Sequence, residues 1–501
     1  MTKLKPTLTG ETEELATKFL VLQTGQDVAD FFEISYGQLL YLLYKKTDKQ
    51  KYYSFEIPKK SGGFRQISKP TKGIDILQKK LSPILEYFYR VKAPVHGFVK
   101  GKSIVTNATQ HKKTKYVFNV DLADFYGSIN YGRVRGLFLA RPFSLGEKAA
   151  SVISQLLCFK NTLPQGASTS PIISNFIASA LDKKMMLLAR RYHVKYTRYA
   201  DDITFSCNKK TFPRPLAYFE EGTAFPDQTL AGKVLEDAID SCGFKINHKK
   251  VRLQISSVRQ EVTGLTVNEF PNVKRKYIRQ IRSMIHAVAT VGKEKAELDY
   301  IAKFAKKDIE IPPEKLDGSY FLSVIYGKLS YLHMVKGKED PILAKFAIKI
   351  GKLDESPPDF IKKIMVTHEM FDIFIGHASE DKDEIARPIF DECKKQGLNA
   401  FLDEKYIKWG DSLTEKINNA LSQSKYFLAI LSEHSIDNAW PQKELNSAIS
   451  LDIAGEQKVL PLIVGDYKVI LKKFPLIHDK FHVAWNNNPE EIVAKLKANV
   501  A

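Results

Sequence analysis

Apolar positions change rhythm several times along this chain of 501 residues. In 11–23, 27–32 and 36–44 they recur at helical spacing. Residues 52–57 and 63–67 alternate apolar with polar as strands do, across the basic turn Pro58-Lys59-Lys60-Ser61-Gly62. A strand-like run over 115–120 ends in Asp121. A helical run over 181–192 leads into 195–206, which reads as one strand carrying Tyr199-Ala200-Asp201-Asp202 at its middle. Residues 273–291 and 320–334 are helical again. Beyond Pro357-Pro358 short apolar strands (371–375, 400–402, 426–431, 459–464) alternate with amphipathic helices (383–395, 412–421, 441–451, 489–497). That alternation predicts a parallel sheet covered on both faces. No Gly-x-Gly-x-x-Gly follows a strand, so a dinucleotide-binding fingerprint is excluded.

Charge divides the chain in the same place. Residues 371–501 carry 16 Lys and Arg against 20 Asp and Glu, while the preceding part carries 60 against 37. A first part at +23 joined to a second at −4 implies two partners or two tasks, and the basic part suits a nucleic-acid channel. Cys158, Cys207, Cys242 and Cys393 are scattered, which fits a reduced cytosolic protein without structural zinc. No run of eighteen apolar residues occurs, so neither membrane span nor membrane partner is expected.

Two adjacent carboxylates between β-forming residues repel each other and need cations. Mg2+ is the natural one, because it takes oxygen ligands and shares them with substrate phosphates. Asp121 stands in a similar setting, so two strands could deliver aspartates to one spot and hold a metal pair for in-line phosphoryl displacement. Small residues at Gly166, Ala167 and Ser168 allow close backbone approach. These blocks, Asp121 with Phe125-Tyr126, Leu163-Pro164-Gln165-Gly166 through Ser170-Pro171 to Asn175, and Tyr-Ala-Asp-Asp, resemble in order and spacing the palm motifs of reverse transcriptases. The resemblance implies two Mg2+ ions on Asp121, Asp201 and Asp202. It places Tyr126 under the nucleotide sugar, where its ring would exclude a 2′-hydroxyl, and Phe125 in the core. Arg65 and Lys69 become contacts of the incoming triphosphate, Gln165 a nucleotide contact and Asn175 a brace. Lys250 or, equally, Lys249 would stand near the leaving pyrophosphate. The basic helix over 273–291, with Lys274, Arg275, Lys276, Arg279 and Arg282 opposite Ile278, Ile281 and Ile285, looks like a thumb gripping duplex backbone.

Asn107-Ala108…His111 and Val262-Thr263-Gly264, in register with the palm motifs, resemble the marks of retron reverse transcriptases. They imply recognition of a cognate noncoding RNA by Asn107, His111, Val262, Thr263 and Gly264. The family further implies priming from a 2′-hydroxyl of that RNA, deoxynucleotides as substrates and a branched single-stranded DNA that stays bound.

Residues 371–501 resemble a TIR domain through Phe371-Asp372-Ile373-Phe374-Ile375-Gly376-His377, then Asp403 with Trp409-Gly410-Asp411-Ser412, and Trp440-Pro441-Gln442-Lys443-Glu444. Glu444 falls where enzymatic TIR domains place the glutamate that cleaves NAD+; its carboxylate would hold the nicotinamide ribose hydroxyls and stabilise oxocarbenium character. Phe374, His377, Trp409, Ser412 and Trp440 are the companion NAD+-binding candidates, with a core role equally open for Trp409. The expected architecture is an α+β right-hand polymerase followed by a flavodoxin-like α/β TIR domain with a parallel sheet. Its parts are a helical extension (1–50), fingers and palm (51–270), a basic thumb (271–350), a linker (351–370) and the TIR domain (371–501). The implied role is antiphage defence by NAD+ depletion. A TIR domain that only oligomerises or clusters polymerases is one competing reading, and a mobile-element polymerase the other.

Overall fold

The computed structural model describes residues 5–59, 62–220, 228–304, 316–367, 371–403, 420–421, 423–437, 445–446, 448–449, 452, 458–474 and 480–500. The chain separates into two compact units, residues 1–280 with 334–337, and residues 281–333 with 338–501.

In the first unit the opening helices α1 (Thr12–Leu20), α2 (Gly25–Phe31) and α3 (Tyr36–Leu40) form where the apolar spacing predicts them. Thr24 with Asp27 and Ser35 with Gln38 close capping boxes at the starts of α2 and α3. Leu15, Phe19, Val28 and Phe32 belong to the same buried core as the palm strands, so these helices are not an independent appendage. The Lys80 ammonium adds a tie, donating to the Phe32 carbonyl at 2.7 Å. Strands β1 (Tyr52–Pro58) and β2 (Phe64–Pro70) pair as an antiparallel hairpin, and the long helix α4 (Lys72–Phe88) follows. Next come α5 (Ile104–Thr109), β3 (Tyr116–Asp121), α6 (Ser170–Ile177), α7 (Ser179–Tyr192), β4 (Lys195–Tyr199), β5 (Asp202–Cys207) and β6 (Arg252–Ile255). The central sheet is antiparallel, ordered β4-β5-β3-β6.

Residues 195–206 are not a single strand but a hairpin, in which Tyr199 pairs with Asp202 and Ala200-Asp201 form the turn. Alternation continues through a two-residue turn, so periodicity alone cannot see it. The turn presents both carboxylates at the tip of the hairpin, where they line a cleft.

The helix α8 (Arg275–Val291) buries Ile281, Met284, Ile285 and Val288, a single stripe, and exposes Arg275, Lys276, Arg279 and Arg282. In the second unit the stretch taken as linker is partly helical: α9 (Pro341–Gly351) packs on α10 (Asp359–Thr367), which buries Ile361 and Ile364. The Pro357-Pro358 pair starts that helix rather than breaking one, since Pro358 offers its carbonyl to the Ile361 amide.

The largest sheet among the described residues is parallel and five-stranded: β7 (Phe371–Gly376), β8 (Ala400–Phe401), β9 (Ser424–Leu431), β10 (Lys458–Ile463) and β11 (Val483–Ala484), ordered β8-β7-β9-β10-β11. Alternate residues feed two separate cores, Phe374, Phe427 and Ala429 on one face and Ile373, Ile375, Leu428 and Ile430 on the other. Both faces are therefore covered, as the continuous apolar runs require. This is the flavodoxin-like order, with its switch point between β7 and β9.

Candidate active site

Antiparallel pairing sets Asp121, the last residue of β3, directly opposite Asp202, the first of β5. Asp201 sits in the intervening turn, its carbonyl accepting from the Leu122 amide at 3.1 Å. The Asp121 carboxylate is held from both sides: Asn247 Nδ2 donates to Oδ1 at 3.1 Å and Lys250 Nζ to Oδ2 at 2.9 Å. Lys250, not Lys249, therefore belongs to the site. Burial first, then the neighbouring Asp201 and Asp121, pushes the Asp202 carboxyl up to about 7. Burial and then Asp121 likewise raise Asp201.

These three carboxylates carry more negative charge than one lysine neutralises, and that donor chemistry fits divalent cations. Among the described residues no three acidic, imidazole or thiol groups are drawn together as a metal-ion site, so the fit to cations rests on the charge of the carboxylates alone.

A cleft of about 780 Å3 opens over the aspartates, lined also by Arg65, Lys69, Tyr126, Gln165 and Lys250. The sequence-predicted nucleotide contacts thus converge. Arg65 comes from β2, which is anchored to the Gln165 block by a 2.7 Å bond from the Ser68 amide to the Gln165 carbonyl. Gly166 is required by that junction rather than by an open approach, because a Cβ there would lie 2.9 Å from Ile67 Cγ2. Tyr126 lines the cleft while Phe125 stacks on Phe244 in the core, the division expected. Burial raises the Tyr126 hydroxyl well above its ordinary value, so it stays neutral.

Sequence reasoning missed the support beneath the turn. Arg198 is wholly buried and uses all five N–H donors. Two go to the Asp182 carboxylate at 2.7 and 2.8 Å, two to Asn175 Oδ1 at 3.2 Å and one to the Ala200 carbonyl at 3.0 Å. Tyr196 donates to Asp182 at 2.7 Å, and Asn175 donates to the Gly97 carbonyl at 3.0 Å. Asn175 is a brace, as expected. The signal available was that Tyr196 and Arg198 share one strand face; nothing marked Asp182 as their partner.

The five RNA-recognition candidates do gather, but not as an RNA-contacting surface. Thr263 and Gly264, at φ 47 and 82, form the turn of a small hairpin (β-paired Val262–Leu265), and Thr263 Oγ1 donates to the Ile104 carbonyl of α5 at 3.2 Å. His111 is completely buried, bonded at 2.7 Å to both Ser206 and Thr197, and burial lowers its pKa to about 3. It is a neutral clamp between β4 and β5 and cannot touch RNA. Asn107 and Val262 are buried too. Only the turn itself faces outward.

In the parallel-sheet unit, Phe374 is corrected from ligand contact to core: it stacks on Phe401 and Phe427 at 5.0 and 5.5 Å. His377, just past β7, lies 3.9 Å from Asp403, which also pairs with Lys382 at 3.0 Å. Burial lowers the His377 pKa. Ser432, at the end of β9, donates to the buried Asp381 at 2.5 Å. These groups stand at the carboxyl ends of β7 and β9, where such sheets bind ligands. Glu444, Trp409, Ser412 and Trp440 lie outside the described residues.

A palm with two aspartates facing across paired strands and a third in the adjoining turn defines a nucleotidyl-transferring polymerase, joined here to a flavodoxin-like domain. The reverse transcriptase (RNA-dependent DNA polymerase) family matches residues 57–268 and the TIR domain family residues 373–496. The reverse transcriptase of retron Mx65 from Myxococcus xanthus is 32% identical over 309 residues, 57% of this chain and 68% of that protein. That of retron Ec86 from Escherichia coli is 31% identical, covering 54% of this chain and 79% of its own length. The chain belongs to the retron reverse transcriptases and carries a TIR domain after the polymerase. For that domain, the 2′ cyclic ADP-D-ribose synthase AbTIR of Acinetobacter baumannii is 33% identical over 148 residues, 29% of this chain and 55% of that protein. The chain thus spans about half the length of this TIR relative. No helix among the described residues is long and apolar enough to cross a membrane.

Proposed function

We propose that this chain is the RNA-directed DNA polymerase of a retron, copying part of a cognate noncoding RNA into branched single-stranded DNA, and that its TIR domain cleaves NAD+ in antiphage defence within the bacterial cytoplasm. The polymerase half rests on the opposition of Asp121 and Asp202 across paired strands, with Asp201 beside Asp202 in the β4–β5 turn. Two Mg2+ ions bound there would neutralise charge at the reacting phosphate during in-line displacement. Arg65 and Lys250 steer the triphosphate, Gln165 contacts the nucleotide, and the Tyr126 ring excludes a 2′-hydroxyl by volume. The exposed cations of α8 grip the duplex backbone as a thumb over 271–350, after fingers and palm over 51–270. RNA recognition involves the Thr263-Gly264 turn, with His111 and Asn107 holding the scaffold behind it.

Support for NAD+ cleavage comes from the cyclic ADP-ribose synthases among the relatives and from the placement of His377 beside the switch-point crevice. Glu444 is the proposed catalytic carboxylate, and self-association through TIR domains the proposed mode of assembly. Loss of the RNA–DNA product would bias the TIR domain between two states of different activity. The test follows NAD+ in cells carrying wild type, Glu444→Ala, Asp201→Asn and the double variant, before and after phage challenge. NAD+ loss with Glu444→Ala would overturn the TIR assignment. Identical curves for wild type and Asp201→Asn would remove the polymerase from the regulation.

A further inference from the structure

Phe98 lines the polymerase cleft with the three aspartates, yet it is 43% exposed and sits at φ 57. A bulky residue in the left-handed region is a backbone outlier, and an exposed ring returns little packing for it. The surrounding loop is nevertheless fixed. His96 donates its amide to the Arg198 carbonyl at 2.8 Å, and the Arg198 amide donates to the Pro94 carbonyl at 2.9 Å. Lys102 spends its ammonium on the Ala93 and Val95 carbonyls, both at 2.7 Å, which makes it a staple rather than a phosphate contact. Gly97 presses so closely on the catalytic turn that a Cβ would stand 2.4 Å from the Ala200 nitrogen. Phe98 is thereby presented beside Tyr199, with ring centroids 6.4 Å apart and planes inclined at 44°.

The two flanks of the carboxylates differ in chemistry. Lys250 is bonded to Asp121 on the β3 side, where charge suits a triphosphate. Tyr199 ends β4, on the other side of β5, and there Phe98 and Tyr199 offer π-faces without charge. Aromatic faces take nucleobases regardless of sequence. Resting on the polymerase reading above, we propose that Phe98 stacks on the terminal base of the growing strand and so holds that nucleotide's attacking hydroxyl beside Asp201 and Asp202. The strained backbone is retained because it aims the ring into the cleft. Phe98 is a strand-positioning residue, distinct from the residues that choose the incoming nucleotide.

The test uses the purified full chain, with a DNA primer ending in 2-aminopurine annealed to an RNA template; this base loses fluorescence when stacked. Wild type and Phe98→Trp should quench it on binding. Phe98→Ala and Phe98→Gly should not, and their KM for primer–template should rise about tenfold while KM for the deoxynucleotide stays unchanged. Phe98→Gly relieves the positive φ, so it should melt no lower than Phe98→Ala while binding primer no better. Quenching retained in Phe98→Ala, or a change confined to the nucleotide KM, would overturn the assignment. A wild-type protein that binds and quenches but extends nothing would instead count against the polymerase reading, because the fluorescence is read without catalysis.

Discussion

Replacing Arg198 with methionine removes a guanidinium whose five donors are all engaged in a fully buried site. The volume is roughly kept, so the loss is electrostatic. Asp182 remains buried with Tyr196 as its only other side-chain donor among the bonds described. An uncompensated buried charge of this kind costs about 3–5 kcal/mol. Against a domain stability of about 5–15 kcal/mol, that is enough to shift the urea midpoint of the polymerase unit strongly. Adding Asp182→Leu removes the orphaned charge, and replacing both members of a buried pair is often neutral or better. The double variant should therefore recover most of the stability. It should not recover DNA synthesis, because the Ala200 carbonyl and Asn175 still lack the guanidinium that held the catalytic turn. Arg198→Lys should fall between, since three donors cannot serve five bonds. Urea titration with a primer-extension assay on each variant reads both outcomes. A destabilisation below about 1 kcal/mol for Arg198→Met, or normal extension by the double variant, would refute the reasoning.

Other outcomes follow from the same site. The folded-state pKa of Asp202 is raised, to about 7, so its ionisation costs stability that is intact below the ordinary carboxylate value and lost as pH rises through 7. At pH 8 without divalent ions Asp202→Asn should gain about 1–2 kcal/mol, a figure reduced for solvent screening of an exposed side chain, and Mg2+ should stabilise wild type more than the variant. A lower melting temperature for the variant in chelator would contradict this. His111 has a folded pKa lowered to about 3, so its contribution is complete above about 6.5 and lost as pH falls from there. His111→Ala should lower the melting temperature at pH 7 and flatten the acid limb by up to about 1.4 kcal/mol per pH unit, while the folded protein keeps its RNA affinity. Weakened RNA binding by folded His111→Ala would restore the recognition role. Tyr126→Ala should let ribonucleotides compete with deoxynucleotides at unchanged Mg2+ dependence; unaltered selectivity would make Tyr126 a core residue.

What the sequence disclosed was chemistry set against an unlikely background. Asp121, Asp201 and Asp202 stand out because carboxylates interrupt apolar strand patterns, and a parallel sheet covered on both faces follows from the uninterrupted runs of the TIR domain. Burial and partnership were far less visible. Arg198 reads as a solvent-facing strand residue until α7 brings Asp182 against it. His111 reads as a polar group near glycines and lysines until β4 and β5 close over it. The hairpin at 199–202 escaped because its turn holds Ala200, at φ 56, where glycine or asparagine would have announced it. The staple formed by Lys102 is not legible because a sequence cannot show which carbonyls a flexible ammonium reaches. The strain at Phe98 is likewise illegible in the sequence, because it lies in the backbone.

The most direct test of the central claim is DNA synthesis by the purified chain together with the RNA that copurifies with it, supplied with Mg2+ and labelled deoxynucleotides. Wild type and Glu444→Ala should yield labelled DNA covalently linked to RNA, and Asp201→Asn should yield none while still binding the RNA. Undiminished RNA-linked DNA from Asp201→Asn would contradict the assignment of the paired-strand aspartates as the polymerase centre.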